Sequence, residues 1–221
     1  MKDKIVIIGG GGHAKSVIST IKKLDRYEIL GYTDFKDNGP ILGIKFIGSD
    51  EILPDILIKN VNCKAVIGIG SVGLSDKRIE TYNMLKEIGF ELPAIKAKSA
   101  IVKEEVSIGE GTVLLENVTV GIGSKIGRCV IINAGSIIYH QCSIGDFVHL
   151  APMTYISSSS VIGNNSFIGI GAAITENIEI DESCLIGAGA AILNNVKKND
   201  KYFGIPKFPV SNKNRVNTYG R

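Results

Sequence analysis

The hydrophobic pattern divides the chain in two. From Ile108 to Ile192 every sixth residue is Ile, Leu or Val, fifteen in an unbroken series, and Val102 one step earlier also fits. The residue four places after each of these is small or β-branched almost throughout, among them Thr112, Ser124, Ser136, Cys142, Ser160, Cys184 and Ala190. Six is neither the helical period nor a single strand alternation. It is three strand steps, which return each aliphatic side chain to the same face. Gly directly follows the aliphatic residue in seven of the fifteen hexads, from Gly109 to Gly187. Because Gly adopts φ > 0 at low cost, these positions are expected to turn the corners. A short strand, a corner and another short strand, repeated without a break, predict an all-β parallel β-helix over 96–197.

Residues 1–95 read differently. An apolar run at 4–8 predicts a buried strand, and Gly9 to Gly12 lead into an amphipathic helix with Val17, Ile18, Ile21 and Leu24 on one side. A second strand ends at Asp34, and 35–48 reads as loop. A short helix near 50–53, a third strand at 64–70 and a second long helix ending at Gly89 follow. Strands alternating with helices predict a parallel sheet covered on both faces, an α/β unit the size of half a Rossmann fold. The stretch 198–221 is a basic tail with Lys207 among its cations.

Composition narrows the classes. A net charge of +3 over 221 residues is too mild to argue for nucleic acid or a charged membrane surface. No apolar run is long enough for a membrane span, and the start does not read as a signal peptide. Four cysteines without a CxxC pair point to packing in a reducing cytoplasm.

Two places carry candidate chemistry. The glycine loop offers free N–H groups and the positive end of a helix dipole, which suits a phosphate. Gly9, Gly11 and Ala14 also match G-x-G-x-x-A, with Asp34 downstream. Nucleotide or nucleotide-sugar binding, NAD(P) binding and a purely structural turn all satisfy this pattern. The second place is on the coil, where His140 and His149 fall off the inward positions and should point outward. They read as solvated side chains or as a base for acyl transfer, since imidazole titrates in the range needed to take a proton from an attacking amine or hydroxyl. No cysteine or carboxylate stands at ligand spacing from them, so no metal is expected.

The segments GGGGHAKSV, GYTDF, IGIGS, NAGSIIYHQCSIGDFVHLAP and GAGAAI, with GIPK after them, resemble the hexapeptide-repeat acyltransferases that carry a small nucleotide-binding N-terminal domain. Within these, the likeness is to the bacterial nucleotide-sugar N-acetyltransferases, with sialic acid O-acetyltransferase-like proteins sharing the layout. The resemblance implies a left-handed coil, a homotrimer and acetyl-CoA as co-substrate. It implies N-acetylation of a nucleotide-linked 4-amino-4,6-dideoxy sugar, with O-acetylation of a sialic acid-like hydroxyl, or a non-catalytic binding role, as alternatives. By the same resemblance His140 is the general base, and Gln141 stands where a carboxylate usually orients it. His149 contacts the acetyl carbonyl of acetyl-CoA. Ser158, Ile170 and Ala188 line the pantetheine groove. The basic residues of the tail, Lys207 among them, read either as contacts for the CoA phosphates or as a solvated tail. Gly11, Gly12, His13, Asp34, Gly70, Ser71 and Asn133 hold the nucleotide sugar.

Overall fold

The structure, a computed structural model, describes residues 2–74 and 76–204. The N-terminal unit runs β1 (Asp3–Ile8), α1 (Gly12–Leu24), β2 (Tyr27–Thr33), β3 (Phe46–Gly48), α2 (Leu53–Lys59), β4 (Lys64–Ile67) and α3 (Lys77–Ile88). Its four strands form one parallel sheet in the order β3-β2-β1-β4. The expected loop at 35–48 therefore holds an edge strand. A side chain at Gly31 would lie 2.4 Å from Ile47, so the missing Cβ lets β3 close on β2. Helix α3 ends at Gly89 in the left-handed conformation (φ 103), as expected.

The rest is a coil of two-residue strands paired in parallel with the strand 18 residues on, as Ile131–Ile132 pairs with His149–Leu150, until the last turn, where Leu185–Ile186 pairs with Lys201–Tyr202 16 residues on. Three hexads therefore make one turn, and the faces are sheets of five, seven and six strands. The seven-stranded sheet begins at Ile95–Lys96 and ends at Lys201–Tyr202. The aliphatic series from Leu114 to Ile192 is buried down the axis. The small inward hydroxyls are satisfied there: Ser124 Oγ donates to the Tyr139 carbonyl at 2.8 Å and Ser160 Oγ to that of Thr175 at 2.9 Å. Cys142 and Cys184 take the same position and are fully buried.

The corners correct the sequence reading. The left-handed residue is not the glycine after the aliphatic position but the one two places later. Every sixth residue from Glu105 to Gly189 has φ near +60°, including Cys129, Gln141, Phe147, Met153 and Ser159. From Gly111 on, each such residue is tied to the preceding turn through its N–H; that of Gln141, for example, donates to the Ile122 carbonyl at 2.9 Å. The glycines after the aliphatic residue serve close stacking instead. A Cβ at Gly163 would lie 2.4 Å from the backbone N of Glu182, and one at Gly121 2.6 Å from that of His140.

The two parts share their cores. Ile5 and Ile7 of β1, with Val17, Ile18 and Ile21 of α1, pack on Ile95, Val113 and Leu115 of the coil. The opposite sheet face, with Leu53, Tyr82 and Leu85, packs on Cys129 and Phe147. Tyr82 Oη and Lys86 Nζ both donate to Glu110, and Lys23 Nζ to Glu116.

Candidate active site

The first turn of α1 opens on a cavity of about 1000 Å³ lined by Gly9 to Gly12, His13, Asp34, Gly70 and Ser71 from the N-terminal unit, and by Asn133, His149, Pro152 and Phe167 from the coil. Gly11 caps α1 with extended backbone, and Cβ atoms at Gly11 and Gly12 would meet only open space, so the helix N–H groups are accessible to an anion. Asp34 folds the loop. Its carboxylate accepts from the N–H of Gly10 at 2.7 Å and from that of Phe35 at 2.7 Å. Gly10 is obligatory there, since a Cβ would lie 2.5 Å from the Tyr32 ring.

His149 does point away from the prism axis, but it is not solvated. The N-terminal unit covers it, leaving 7% exposed. Its Nδ1 lies 3.2 Å from Ser71 Oγ, its Nε2 lies 2.8 Å from Asn133 Nδ2, and Phe167 meets the ring edge-on at 5.1 Å. Burial, then the neighbouring Arg78 charge, pushes its pKa down to about 3. His13 is pushed down to about 4 by the same two causes, and its Nε2 is buried without a hydrogen-bond partner among the described residues.

Arg78 escaped the sequence reading. It is 3% exposed and donates from Nη1 to the Cys129 carbonyl at 2.9 Å and from Nη2 to that of Phe147, two corners stacked 18 residues apart. Burial lowers its pKa to about 10. A lone arginine in register with Tyr82 and Leu85 on the buried side of α3 was the available signal.

His140 lies outside this cavity. It is exposed, and its Nε2 sits 2.9 Å from Ser158 Oγ, directly one coil on. Gln141 occupies the left-handed corner and is exposed, and among the described residues the hydrogen-bond partner of the His140 ring is Ser158. Ile170 and Ala188 are exposed on another corner, 18 and 36 residues after Pro152 at the cavity edge. Lys207 and the basic tail lie outside the described residues. Among the described residues no cluster of three or more His, Cys, Asp or Glu gathers, and no helix is long and apolar enough to cross a membrane.

A glycine-loop α/β unit seated on a left-handed coil of hexapeptide turns is an arrangement with counterparts among known proteins. The PglD N-terminal domain profile matches residues 4–85, and the bacterial transferase hexapeptide profile matches residues 159–194. In both profiles the chain is similar to the hexapeptide-repeat acyltransferases that carry a PglD-type N-terminal domain. It is 36% identical over 90 residues to GDP-perosamine N-acetyltransferase of Escherichia coli O157:H7, a match covering 41% of each chain. A histidine-to-alanine variant of GDP-perosamine N-acetyltransferase from Caulobacter crescentus, solved with CoA and GDP-perosamine, superimposes with a TM-score of 0.85 at 28% identity, covering 92% of this chain and 93% of that one. The acetyltransferase domain of PglB from Neisseria gonorrhoeae FA1090 with acetyl coenzyme A gives 0.82 at 27%, covering 91% and 96%.

Proposed function

We propose that this chain transfers the acetyl group of acetyl-CoA to the amino group of a nucleotide-linked 4-amino-4,6-dideoxy sugar. The observation that carries the reading is the single cavity joining the anion-accepting N-terminus of α1 to Asn133 and His149 of the coil. A diphosphate at the glycine loop would place the sugar over the coil's outer face. The relatives from Caulobacter and Neisseria, solved with CoA and GDP-perosamine and with acetyl-CoA, support both halves of the substrate pair.

His140 is the general base in this reading. It takes a proton from the amine as the nitrogen attacks the thioester carbonyl. The tetrahedral adduct then expels the CoA thiolate, which recovers a proton as the amide forms. Direct attack fits the cysteines. Cys142, the nearest, has its thiol buried in the prism at 3.1 Å from the Ser157 carbonyl, and burial raises its pKa. Because His140 stands outside the cavity of its own chain, we place each site between subunits of a homotrimer. The six-stranded face supports this, presenting Ile101 and Tyr155 to solvent at 52% and 44% exposure. Use of acetyl-CoA and four buried free cysteines favour the cytoplasm.

The test is a CoA-release assay with nucleotide-linked amino sugars, run on mixed subunits. His140→Ala and Gly12→Leu chains, each inactive alone, should recover activity when refolded together. Recovery in neither order would rule out a site shared between chains.

A further inference from the structure

The ring of His140 is held by the stacking of two corners. Those at 139–141 and 157–159 lie one turn apart, and two backbone bonds fix their spacing. The N–H of Tyr139 donates to the Ile156 carbonyl at 2.9 Å, and that of Ser159 to the His140 carbonyl at 3.0 Å. Side chains at 140 and 158 therefore stand in one column along the prism. The ring reaches along this column, and its Nε2 meets Ser158 Oγ at 2.9 Å. The chain neighbour goes the other way. Gln141 has φ +58, and its Cγ lies 3.7 Å from where a Cβ at Gly123 would stand, over the preceding turn.

A hydroxyl suits an imidazole that must change its proton count. Ser158 Oγ accepts from Nε2–H when the ring is protonated, and its own hydrogen can turn to donate when Nε2 carries a lone pair. A contact that survives both states keeps the ring in place through a proton-transfer cycle. Serine has one side-chain torsion to its oxygen, so holding the ring costs little conformational entropy.

We propose that Ser158 is the positioning residue of His140: its hydroxyl, one turn further along the coil, sets the direction in which the imidazole is presented to the attacking amine. This deepens the acetyltransferase reading and rests on it for the substrate. It also changes what Ser158 is for. The loss of a residue lining the pantetheine groove is felt in coenzyme binding, whereas the loss of a positioning residue is felt in turnover.

Kinetics separate the two. Ser158→Ala should lower kcat on the order of 10-fold, the loss of one hydrogen bond, with KM for acetyl-CoA and for the nucleotide amino sugar little moved. Ser158→Thr keeps the hydroxyl and should restore most of the rate. In a His140→Ala background Ser158→Ala should lower the residual rate no further, whereas a serine that only supports the corner would cost both backgrounds alike. A raised KM for acetyl-CoA at unchanged kcat would make Ser158 a coenzyme contact and overturn the proposal. So would a fall in kcat for Gln141→Ala with none for Ser158→Ala, which would hand the ring to its chain neighbour. Nitrogen-15 NMR of the full chain gives an arm that needs no substrate. The chain has three histidines, and His140→Asn identifies the signals of that ring. Ser158→Ala should shift them and leave those of His13 and His149 in place. Unmoved His140 signals would mean that the pair does not form in solution, and would refute the proposal. If the wild-type protein turns over no nucleotide amino sugar, the acetyltransferase reading fails, while the ring signals still decide whether Ser158 holds His140.

Discussion

Two faces of the same prism meet different fates. On the seven-stranded face the outward residues Ile95, Val113, Ile131 and His149 are all buried beneath the N-terminal unit. On the six-stranded face the equivalent positions are Ile101, Thr119, Ile137 and Tyr155, and Ile101 and Tyr155 stand exposed. Both faces come from one repeat with the same inward pattern. The covered face holds a neutral, doubly bonded histidine in a closed seam. The corner after Ile138 on the open face carries an accessible histidine bonded, among the described residues, to a serine of the next coil. The coil supplies identical backbone at each position, and what lies over it decides what the side chain can do.

The largest effect that would break this contrast is catalytic. His140→Ala should lower turnover about 10²–10⁴-fold with the fold intact. Near-normal turnover in a CoA-release assay would remove the open-face histidine from the chemistry. On the covered side, Arg78→Met should cost about 3 kcal/mol, because two buried coil carbonyls lose a charged donor. Urea denaturation should show the N-terminal unit released before the coil, whereas a single unshifted transition would mean that Arg78 does not hold the seam. Within the coil, Gly163→Ala should cost about 1–3 kcal/mol, since its Cβ would meet the Glu182 backbone.

A pH series sharpens the same comparison. His149 and His13 are held neutral in the fold, at about 3 and about 4, while the unfolded chain protonates both near 6.5. Below 6.5 the unfolded state therefore binds more protons than the native state. The stability these residues confer above 6.5 is lost as pH falls toward 4. Melting temperatures should drop between pH 7.5 and 5, and His149→Gln should flatten the slope; a flat wild-type profile would contradict the buried neutral imidazoles. The smallest effect is expected at Gly171→Asn, within about 1 kcal/mol. This corner has φ +65 and open space around it, and Asn already fills the same corner at 165 and 177.

Much of this was legible in the chain. The six-residue period located the coil and its inward layer, because axial stacking demands the same side chain at the same place on every rung. The helix start at Gly11–Gly12 and the stop at Gly89 followed from local backbone chemistry. The corner positions were misread, because glycine answers two demands. At Gly111 or Gly171 it permits φ > 0, whereas at Gly163 it admits a neighbouring backbone, and composition does not distinguish them. Strand β3 was missed because three residues carry too little pattern, and its pairing depends on Gly31 across the sheet.

The sequence by itself determined the prism and the glycine loop that starts the first helix, since both arise from interactions repeated or completed within a few residues. Only the tertiary structure decided that Arg78 reaches two coil corners, that Asp34 braces the glycine loop, and that His149 joins Ser71 to Asn133 while His140 stays outside. These contacts link residues 16 to 78 positions apart, within the N-terminal sheet, between neighbouring coils or across the seam. A pattern read along the chain does not pair such residues; the sheet register, the stacking of the coils and the docking of one part on the other bring the groups together.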